Sequence, residues 1–392
     1  MSSQIIWRGF VYGSTGYSRA SREYILALDK IGVDVKVEAL VYQGETVEPI
    51  DDEHQRKRIA ELIEKPYARD KKSVLICHIQ PDGVNVEQLK QFYDYVIINT
   101  VWETLGLPAS WNDSLKQADA ILLPSKHNIY SFKEAGYWSE VFHIPHGADT
   151  IRFTPENPPL PLKDTIGKFT FLCVSTWQHR KSPELLLRAF WEEFKEEENV
   201  ALIYKIDVGG NKRNETVVLE EILRYKEKLQ IKDNATTLLS LSRYTDEQLG
   251  GLYTAADAFV LPSRGEGVGL PYIEALASGK PVIATGWGGQ TDFLNEGNSY
   301  VIDYRVENIV MDGAISPTYD HLFMPTMQWA EPDLVSIRKQ MRHLFEHQDE
   351  CKEKGLQGRK DMESMTWEKS AVEISNVVES LLYKNNENEK GI

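Results

Sequence analysis

The chain has 392 residues, of which 42% are hydrophobic and 26% are charged. At about 150 residues per domain, this length favours two or three domains, and the composition excludes a disordered or low-complexity polypeptide. The 44 basic and 59 acidic side chains give a formal net charge of -15. That charge excludes non-specific nucleic-acid binding through a broad basic field and disfavours peripheral contact with an anionic membrane.

The cysteine content and the lack of long apolar runs favour a cytoplasmic protein. Cys77, Cys173 and Cys351 share no close spacing, and three cysteines in 392 residues make neither a disulfide framework nor a zinc site, which fits a reducing compartment. The first ten residues, MSSQIIWRGF, lack the charged region and apolar core of a signal peptide. No apolar run approaches the roughly 18 residues needed to cross a bilayer.

Short apolar runs alternate with longer amphipathic stretches in the first part of the chain. The predicted strands are Ile5–Tyr12, Val33–Ala39, Val74–His78, Tyr95–Asn99, Ala120–Leu123 and Val141–Ile144. The predicted helices between them are Ser18–Lys30, Asp52–Glu64, Val86–Tyr93 and Asn128–Ala135. This alternation predicts βαβ units and a parallel sheet.

A proline-rich segment, Pro155–Lys168, interrupts the pattern and predicts an inter-domain linker, because proline sustains neither a helix interior nor a central strand. The pattern then resumes with strands at Thr170–Ser175, Val200–Ile206, Thr236–Leu241, Ala258–Leu261 and Pro281–Ala284. The predicted helices are Pro183–Phe194, Glu215–Leu229, Pro332–His347 and Trp367–Tyr383, and a polar connection, 305–332, has no clear pattern. The chain therefore reads as two similar α/β halves, with a ligand site expected in a cleft between them.

A glycine-rich turn, 265–269, follows the predicted strand Ala258–Leu261 and opens a helix near Pro271. Backbone N–H groups in such a turn, together with the positive end of a helix dipole, suit a phosphate group. Glu266 lies in the turn and Glu274 about one turn into the helix, so both can accept hydrogen bonds from the hydroxyls of a sugar or ribose. The alternative is that the glycines only make a tight turn and Glu274 only caps or solvates the helix.

The stretch 253–292 resembles the signature of retaining glycosyltransferases of family 4, with Glu266 and Glu274 as the family's Glu-x7-Glu pair. Further matches occur in the right order along the chain, at 13–35, 144–153, 179–190, 329–342 and 364–371. The resemblance implies the GT-B fold, which is an α/β fold of two Rossmann-like, doubly wound domains facing across a cleft. The predicted domains are an acceptor-binding domain at 1–160, a nucleotide-sugar-binding domain at 161–362, and a helix with a polar tail at 363–392 that crosses back to the first domain.

The resemblance also implies roles for residues that bind the donor. Glu266 would contact the donor sugar and Glu274 the nucleotide ribose. Backbone amides would bind the sugar hydroxyls and the diphosphate, at Gly267, Val268, Gly269 and Leu270. A loop containing Gly13 and Gly16 would approach the donor phosphates, although an ordinary strand–helix turn is the alternative.

Lys181 matches the lysine of the basic pair that the family places on the diphosphate, but Thr176 stands where the family has arginine. Arg180 either compensates for that departure or is a solvated charge at a helix start. Because no Asp-x-Asp motif stands out, Lys181 and the backbone amides are expected to stabilise the leaving diphosphate without a metal or another cofactor. Lys181 and Glu266 are therefore the predicted catalytic residues.

The predicted acceptor side includes His78, which ends one predicted strand, and Trp102 and Glu103, which follow the next one. Trp102 could stack on a pyranose and Glu103 could orient an acceptor hydroxyl. The alternative is a core tryptophan and an ion-paired glutamate. The histidine that some relatives carry near this segment is absent here, so its catalytic role does not transfer.

These observations predict an enzyme that transfers a hexose or N-acetylhexosamine from a UDP-, GDP- or similar nucleotide-sugar, with retention of configuration. The acceptor would be a glycan, a lipid-linked sugar, a protein or a small molecule. Two alternatives are a sugar-nucleotide epimerase on the same fold and a non-catalytic sugar-binding module.

Overall fold

The computed structural model describes residues 3–41, 49–138, 140–208, 212–310 and 322–389. The chain forms two compact units. The first unit comprises Met1–Trp102, Gly106–Gly147 and Met365–Ile392. The second comprises Ala148–Ser364 and a short segment from earlier in the chain, Glu103–Leu105.

A parallel sheet of six strands, counted over the described residues, forms the centre of the first unit in the order β2-β1-β3-β4-β5-β6. Its strands are β1 (Ser3–Phe10), β2 (Val35–Leu40), β3 (Lys72–His78), β4 (Tyr95–Asn99), β5 (Ala120–Leu123) and β6 (Val141–His143). Every residue of β4 and β5 is buried, as is usual where helices cover both faces of a parallel sheet.

The helices of the first unit are α1 (Gly16–Lys30), α2 (Glu53–Glu64), α3 (Val86–Leu89), α4 (Asn112–Gln117), α5 (Lys126–Glu134) and, from the end of the chain, α12 (Trp367–Glu389). Thr15 caps α1 by accepting a hydrogen bond from the backbone N–H of Ser18. α12 packs against α1, where the Trp367 and Tyr24 rings lie 4.9 Å apart and Lys30 pairs with Glu368 at 2.5 Å. The last helix therefore completes the first unit.

The second unit repeats this architecture with a parallel sheet in the order β12-β11-β10-β7-β8-β9. Its strands are β7 (Phe169–Thr176), β8 (Val200–Asp207), β9 (Thr236–Ser240), β10 (Ala258–Leu261), β11 (Val282–Thr285) and β12 (Ser299–Ile302). An antiparallel pair, β13 (Tyr304–Asn308) and β14 (Gln328–Pro332), stands beside it. The helices are α6 (Pro183–Glu193), α7 (Lys212–Leu229), α8 (Asp246–Thr254), α9 (Leu270–Ala277), α10 (Leu334–Glu346) and α11 (Gln348–Glu363).

The predicted alternation of strands and helices is confirmed, and β4, β5 and β10 have the predicted bounds. The sequence did not predict α4, α8, α11 or β12. It also missed the β13–β14 pair, whose strands occupy the two ends of the polar connection at 305–332. Residues 311–321 of that connection and 390–392 of the polar tail lie outside the described residues. No described helix combines the length and the apolar character that a bilayer crossing requires.

All three cysteines are buried as free thiols, Cys77 in β3, Cys173 in β7 and Cys351 in α11. Burial raises the pKa of each thiol to about 12.

Candidate active site

The glycine-rich turn lies at the carboxyl edge of the second sheet, between β10 and α9. Ser263, Arg264 and Glu266 are all buried in this loop. Gly269 precedes α9 with φ 88°, in the left-handed region that favours glycine, and a Cβ there would lie 2.4 Å from the Tyr272 ring. The Tyr272 hydroxyl in turn donates to the carbonyl of Leu261 at 2.9 Å, so the first turn of α9 is held against the end of β10.

A second turn, His179–Lys181, follows β7 and lies against this loop. The backbone N–H of Arg264 donates to the carbonyl of Arg180 at 2.7 Å, and the Ser263 hydroxyl donates to the same carbonyl at 3.1 Å. These contacts bring Arg180 and Lys181 to the glycine-rich loop. Because β7 and β10 are adjacent strands, both turns emerge at one edge of the sheet.

Lys181 and Arg180 both contact the carboxylate of Glu266. Lys181 Nζ lies 2.5 Å from Glu266 Oε1, and Arg180 Nη1 lies 3.4 Å from Glu266 Oε2. The two cationic side chains are 12% exposed and that of Glu266 is 5% exposed. Arg180 is therefore part of this cluster and is not a solvated charge at a helix start.

The charges in the cluster shift each other's pKa. Burial opposes ionisation of Glu266, but the positive charges of Lys181 and Arg180 outweigh it and hold the pKa of that carboxyl below its usual value. Burial and the neighbouring Arg180 lower the pKa of Lys181, with Glu266 acting in the opposite direction. Burial would also lower the pKa of Arg180, yet Glu103 and Glu266 raise it. Arg180 therefore stays charged and Glu266 stays ionised.

Glu103 contributes a second carboxylate to the cluster. Its Oε1 lies 3.3 Å from Arg180 Nη2, whereas Glu266 contacts the other terminal nitrogen, Nη1. Arg180 also donates to the carbonyl of Gly265. Thr176, where the family has arginine, ends β7 and pairs in register with Asp207 of β8. Arg180 is thus the guanidinium that the fold brings to Glu266.

Glu274 lies in α9, is buried, and accepts a hydrogen bond from the hydroxyl of Tyr253 at 2.7 Å. Tyr253 lies in α8, which the sequence did not predict. Gly267, Val268 and Leu270 lie with Glu266 in the loop and at the start of α9. The predicted donor-binding residues of the second half therefore share one edge of the second sheet.

Arg264 is a buried member of the loop for which the sequence suggested no role. It forms two hydrogen bonds with Glu331 of β14, at 2.6 and 3.0 Å, and a contact with Glu184 of α6 at 3.3 Å. It also donates to the carbonyl of His179 and lies over the Trp329 ring. Arg264 thus connects the loop, the basic turn and the β13–β14 pair. Only its position inside the glycine-rich motif could have indicated this.

The remaining predicted site residues lie in the first unit. Gly16 begins α1, and no atom lies within 4 Å of the position that a Cβ would occupy there. His78 is buried at the end of β3, with its Nδ1 2.6 Å from Ser21 Oγ, and burial lowers its pKa to about 3 with a smaller effect from His146. Trp102 is 2% exposed; its Nε1 donates to Gly106 and its ring packs edge-on against Trp111.

Among the described residues, no group of three or more His, Cys, Asp and Glu side chains is placed to hold a metal ion.

Residues 168–312 match the family described as glycosyl transferases group 1. The chain is 27% identical to a GDP-mannose-dependent alpha-(1-6)-phosphatidylinositol monomannoside mannosyltransferase of Mycolicibacterium smegmatis, over 46% of this chain and 48% of that protein. It is 32% identical to a D-inositol 3-phosphate glycosyltransferase of Corynebacterium jeikeium, over 40% of this chain and 38% of that protein. The chain is thus similar to glycosyltransferases over part of its length. The chain spans about half or less of the length of these curated relatives.

Two solved structures share the architecture of the whole chain. Sucrose-phosphate synthase from Thermosynechococcus elongatus aligns with a TM-score of 0.68 and 15% identity, covering 97% of this chain and 100% of that one. HepE of Anabaena in complex with UDP and glucose aligns with a TM-score of 0.61 and 13% identity, covering 96% of this chain and 100% of that one. At such identities the likeness concerns the fold alone. The protein has the two-domain α/β GT-B fold.

Proposed function

We propose that the protein is a retaining glycosyltransferase that moves a hexose or N-acetylhexosamine from a nucleotide-diphosphate sugar to an acceptor hydroxyl without a metal. The observation that carries this proposal is the buried cluster of Arg180, Lys181 and Glu266 at the start of α9. It lies inside the segment that matches the group 1 family. Cations and N–H dipoles at one edge of a parallel sheet suit a diphosphate, and a carboxylate beside them suits sugar hydroxyls.

The proposed reaction depends on stabilising the leaving group. As the bond between the sugar's anomeric carbon and the phosphate oxygen breaks, negative charge grows on the diphosphate and positive charge on the sugar ring. Lys181 and Arg180 would stabilise the diphosphate, while Glu266 would hold the sugar and Glu274 the ribose. With retention, the acceptor oxygen bonds to the face that the phosphate leaves, so the departing phosphate oxygen is placed to take the acceptor's proton.

The names of the relatives support two donor bases and leave the acceptor open. One relative is named for its use of GDP-mannose, and HepE was solved with UDP and glucose. Other relatives are named for acceptors or products that contain inositol phosphate or diacylglycerol. For this chain we propose a UDP- or GDP-sugar as the donor. The proposed acceptor is a glycan, a lipid-linked sugar, a protein or a small molecule, and the proposed location is the cytoplasm.

A thermal-shift screen of UDP, GDP, ADP and their sugars identifies the donor. A ligand at 100 times its dissociation constant stabilises the folded protein by about 2.7 kcal/mol, so the matching nucleotide should raise the melting temperature clearly. Stabilisation by free sugars and by none of the nucleotides would instead support a sugar-binding module.

Replacing the proposed catalytic side chains tests the function directly. With the donor found by the screen, Lys181→Ala and Glu266→Gln should each lower kcat by about a hundredfold or more, because each removes an interaction with charge that develops in the transition state. Glu353→Gln, an exposed carboxylate of α11, is the matched control and should retain full turnover. Full turnover by both site variants would refute the roles assigned to Lys181 and Glu266. Loss of activity with EDTA would refute the metal-free mechanism. Conversion of the donor in the absence of an acceptor would indicate an epimerase.

A further inference from the structure

The segment Glu103–Leu105 contacts the rest of the second unit at two places. Leu105 pairs with Gln328 of β14 through two backbone hydrogen bonds, at 2.9 and 3.0 Å, and so extends the β13–β14 pair. The carbonyl of Glu103 packs against Gly265, where a Cβ would lie 2.2 Å from that oxygen. The side chain of Glu103 is thus anchored next to the glycine-rich loop.

The anchored carboxylate balances the charge of the cluster. Arg180 and Lys181 carry two positive charges, and Glu103 and Glu266 carry two negative charges. Arg180 lies 3.3 Å from Glu103 and 3.4 Å from Glu266, and Lys181 lies 2.5 Å from Glu266. The guanidinium of Arg180 is engaged at both of its terminal nitrogens, Nη1 with Glu266 and Nη2 with Glu103. The cluster therefore offers a diphosphate no net positive charge while Glu103 is in contact.

A diphosphate bound to Arg180 would lie close to the carboxylate of Glu103. Two groups of like charge near one cation repel each other, and the repulsion is strong where the side chains are as little exposed as these. Binding of the diphosphate then requires either that Glu103 leave Arg180 or that the repulsion be tolerated. In both cases the affinity for the nucleotide falls.

We propose that Glu103 competes with the donor's diphosphate for Arg180 and so weakens the binding of both donor and nucleoside-diphosphate product. This inference rests on the proposed function, since it takes Arg180 to be part of the diphosphate site. Its consequence is faster product release, which is the step that limits turnover in many enzymes. Glu103 is then a residue that sets nucleotide affinity, whereas the sequence suggested that it orients an acceptor hydroxyl.

Isothermal titration of the full chain with UDP and GDP at fixed ionic strength tests the proposal. Glu103→Gln keeps the shape of the side chain and removes its charge, so the dissociation constant of the nucleoside diphosphate should fall about tenfold. Binding should also depend more steeply on salt, because the cluster then carries a net positive charge. Glu353→Gln makes the same change of net charge on α11 and should leave affinity as it is.

The direction of the effect distinguishes competition from a structural role. A merely structural role for Glu103 would weaken binding on substitution, and a role in orienting the acceptor would leave nucleotide affinity unchanged, so either result overturns the proposal. If Glu103→Gln does not fold, the same titration of Glu103→Asp tests the proposal. It keeps the charge but withdraws it from Arg180, so tighter binding than in the unaltered protein supports competition, and equal or weaker binding contradicts it.

The experiment also separates this inference from the proposed function. If the unaltered protein and Glu103→Gln both fail to bind UDP, GDP or ADP, the proposed function falls and the inference falls with it. If the unaltered protein binds one of them and Glu103→Gln binds no tighter, only the inference falls.

Discussion

At the residue scale, the sequence indicated which side chains belong to the site and could not indicate how they pair. Glu266, Glu274 and Lys181 are recognisable because they stand at fixed positions in a motif. Their partners come from distant parts of the chain: Glu266 meets Lys181 and Arg180, and Glu274 meets Tyr253. Spacing along a chain carries no information on contacts that form only when the sheet is assembled, so these pairs required the structure.

The hydrogen bond from Tyr253 to Glu274 leads to a prediction about nucleotide binding. In Tyr253→Phe the buried carboxylate loses its 2.7 Å donor, and a lost buried hydrogen bond costs about 1–3 kcal/mol. If Glu274 holds the ribose, the variant should bind the nucleoside diphosphate several-fold more weakly, as measured by titration calorimetry, while binding inorganic pyrophosphate as before.

A matched control for this change lies elsewhere in the same unit. The hydroxyl of Tyr300 donates to Glu350 at 2.9 Å, away from the glycine-rich loop. Tyr300→Phe should reduce stability without affecting nucleotide affinity. Equal losses of pyrophosphate and nucleotide binding in Tyr253→Phe would contradict a ribose contact for Glu274.

At the element scale, the strands and helices that bury continuous or periodic apolar residues were predicted more accurately than those that do not. β4 and β10 are continuous apolar runs enclosed on both faces, so their bounds could be predicted. α11 was missed because its buried face consists largely of small residues: Gly355 packs against Gly279 and Gly358 against Leu276. Such a face has no apolar periodicity. The exposed β13 likewise lacks the burial pattern by which a strand is recognised.

The contact between Gly265 and the Glu103–Leu105 segment predicts that adding one methyl group at Gly265 lowers the stability of the protein. In Gly265→Ala the new Cβ would lie 2.2 Å from the carbonyl of Glu103, so the loop or the segment must move. We expect a loss of about 1–3 kcal/mol in the free energy of unfolding, as for other overpacked sites, measured by urea denaturation. Nucleotide affinity should change with it, because Glu103 and the loop are displaced together.

Gly16→Ala serves as the control for this prediction. No atom lies within 4 Å of a Cβ at Gly16, so its stability should be unchanged or slightly higher. If Gly265→Ala is as stable as the unaltered protein, the segment is not packed against the loop in solution.

At the scale of the whole molecule, the net charge of -15 and the proposed anionic donor are reconciled by local structure. The cations that would meet a diphosphate are buried in one cluster, so their effect does not depend on the overall field. Composition could exclude a nucleic-acid binder. It could not reveal that two cations are gathered at the edge of the second sheet.

Two buried histidines predict how stability depends on pH. Burial lowers the pKa of His146 to about 3, and burial together with His146 lowers that of His78 to about 3. Both folded-state values lie below the unfolded value of about 6.5, so below that pH the unfolded chain binds more protons. Their contribution to stability is therefore complete above pH 6.5 and is lost as the pH falls from 6.5 towards 3, at about 1.4 kcal/mol per pH unit for each histidine.

Urea denaturation at pH 7, 6 and 5 measures this slope. His78→Gln and His146→Gln should each have a shallower dependence of unfolding free energy on pH than the unaltered protein, whatever their stability at pH 7. His54→Gln, an exposed position in α2, should leave the slope as it is. Identical slopes in all four proteins would show that neither buried histidine resists protonation.

The buried cysteines make the two units separately observable. Cys77 lies in the first sheet and Cys173 in the second, and a thiol with its pKa near 12 is almost wholly protonated and unreactive at neutral pH. A thiol reagent can therefore label either position only when the strand around it opens. Site-resolved labelling rates, followed by mass spectrometry, would report how often each sheet opens and whether nucleotide protects one more than the other, without an engineered probe.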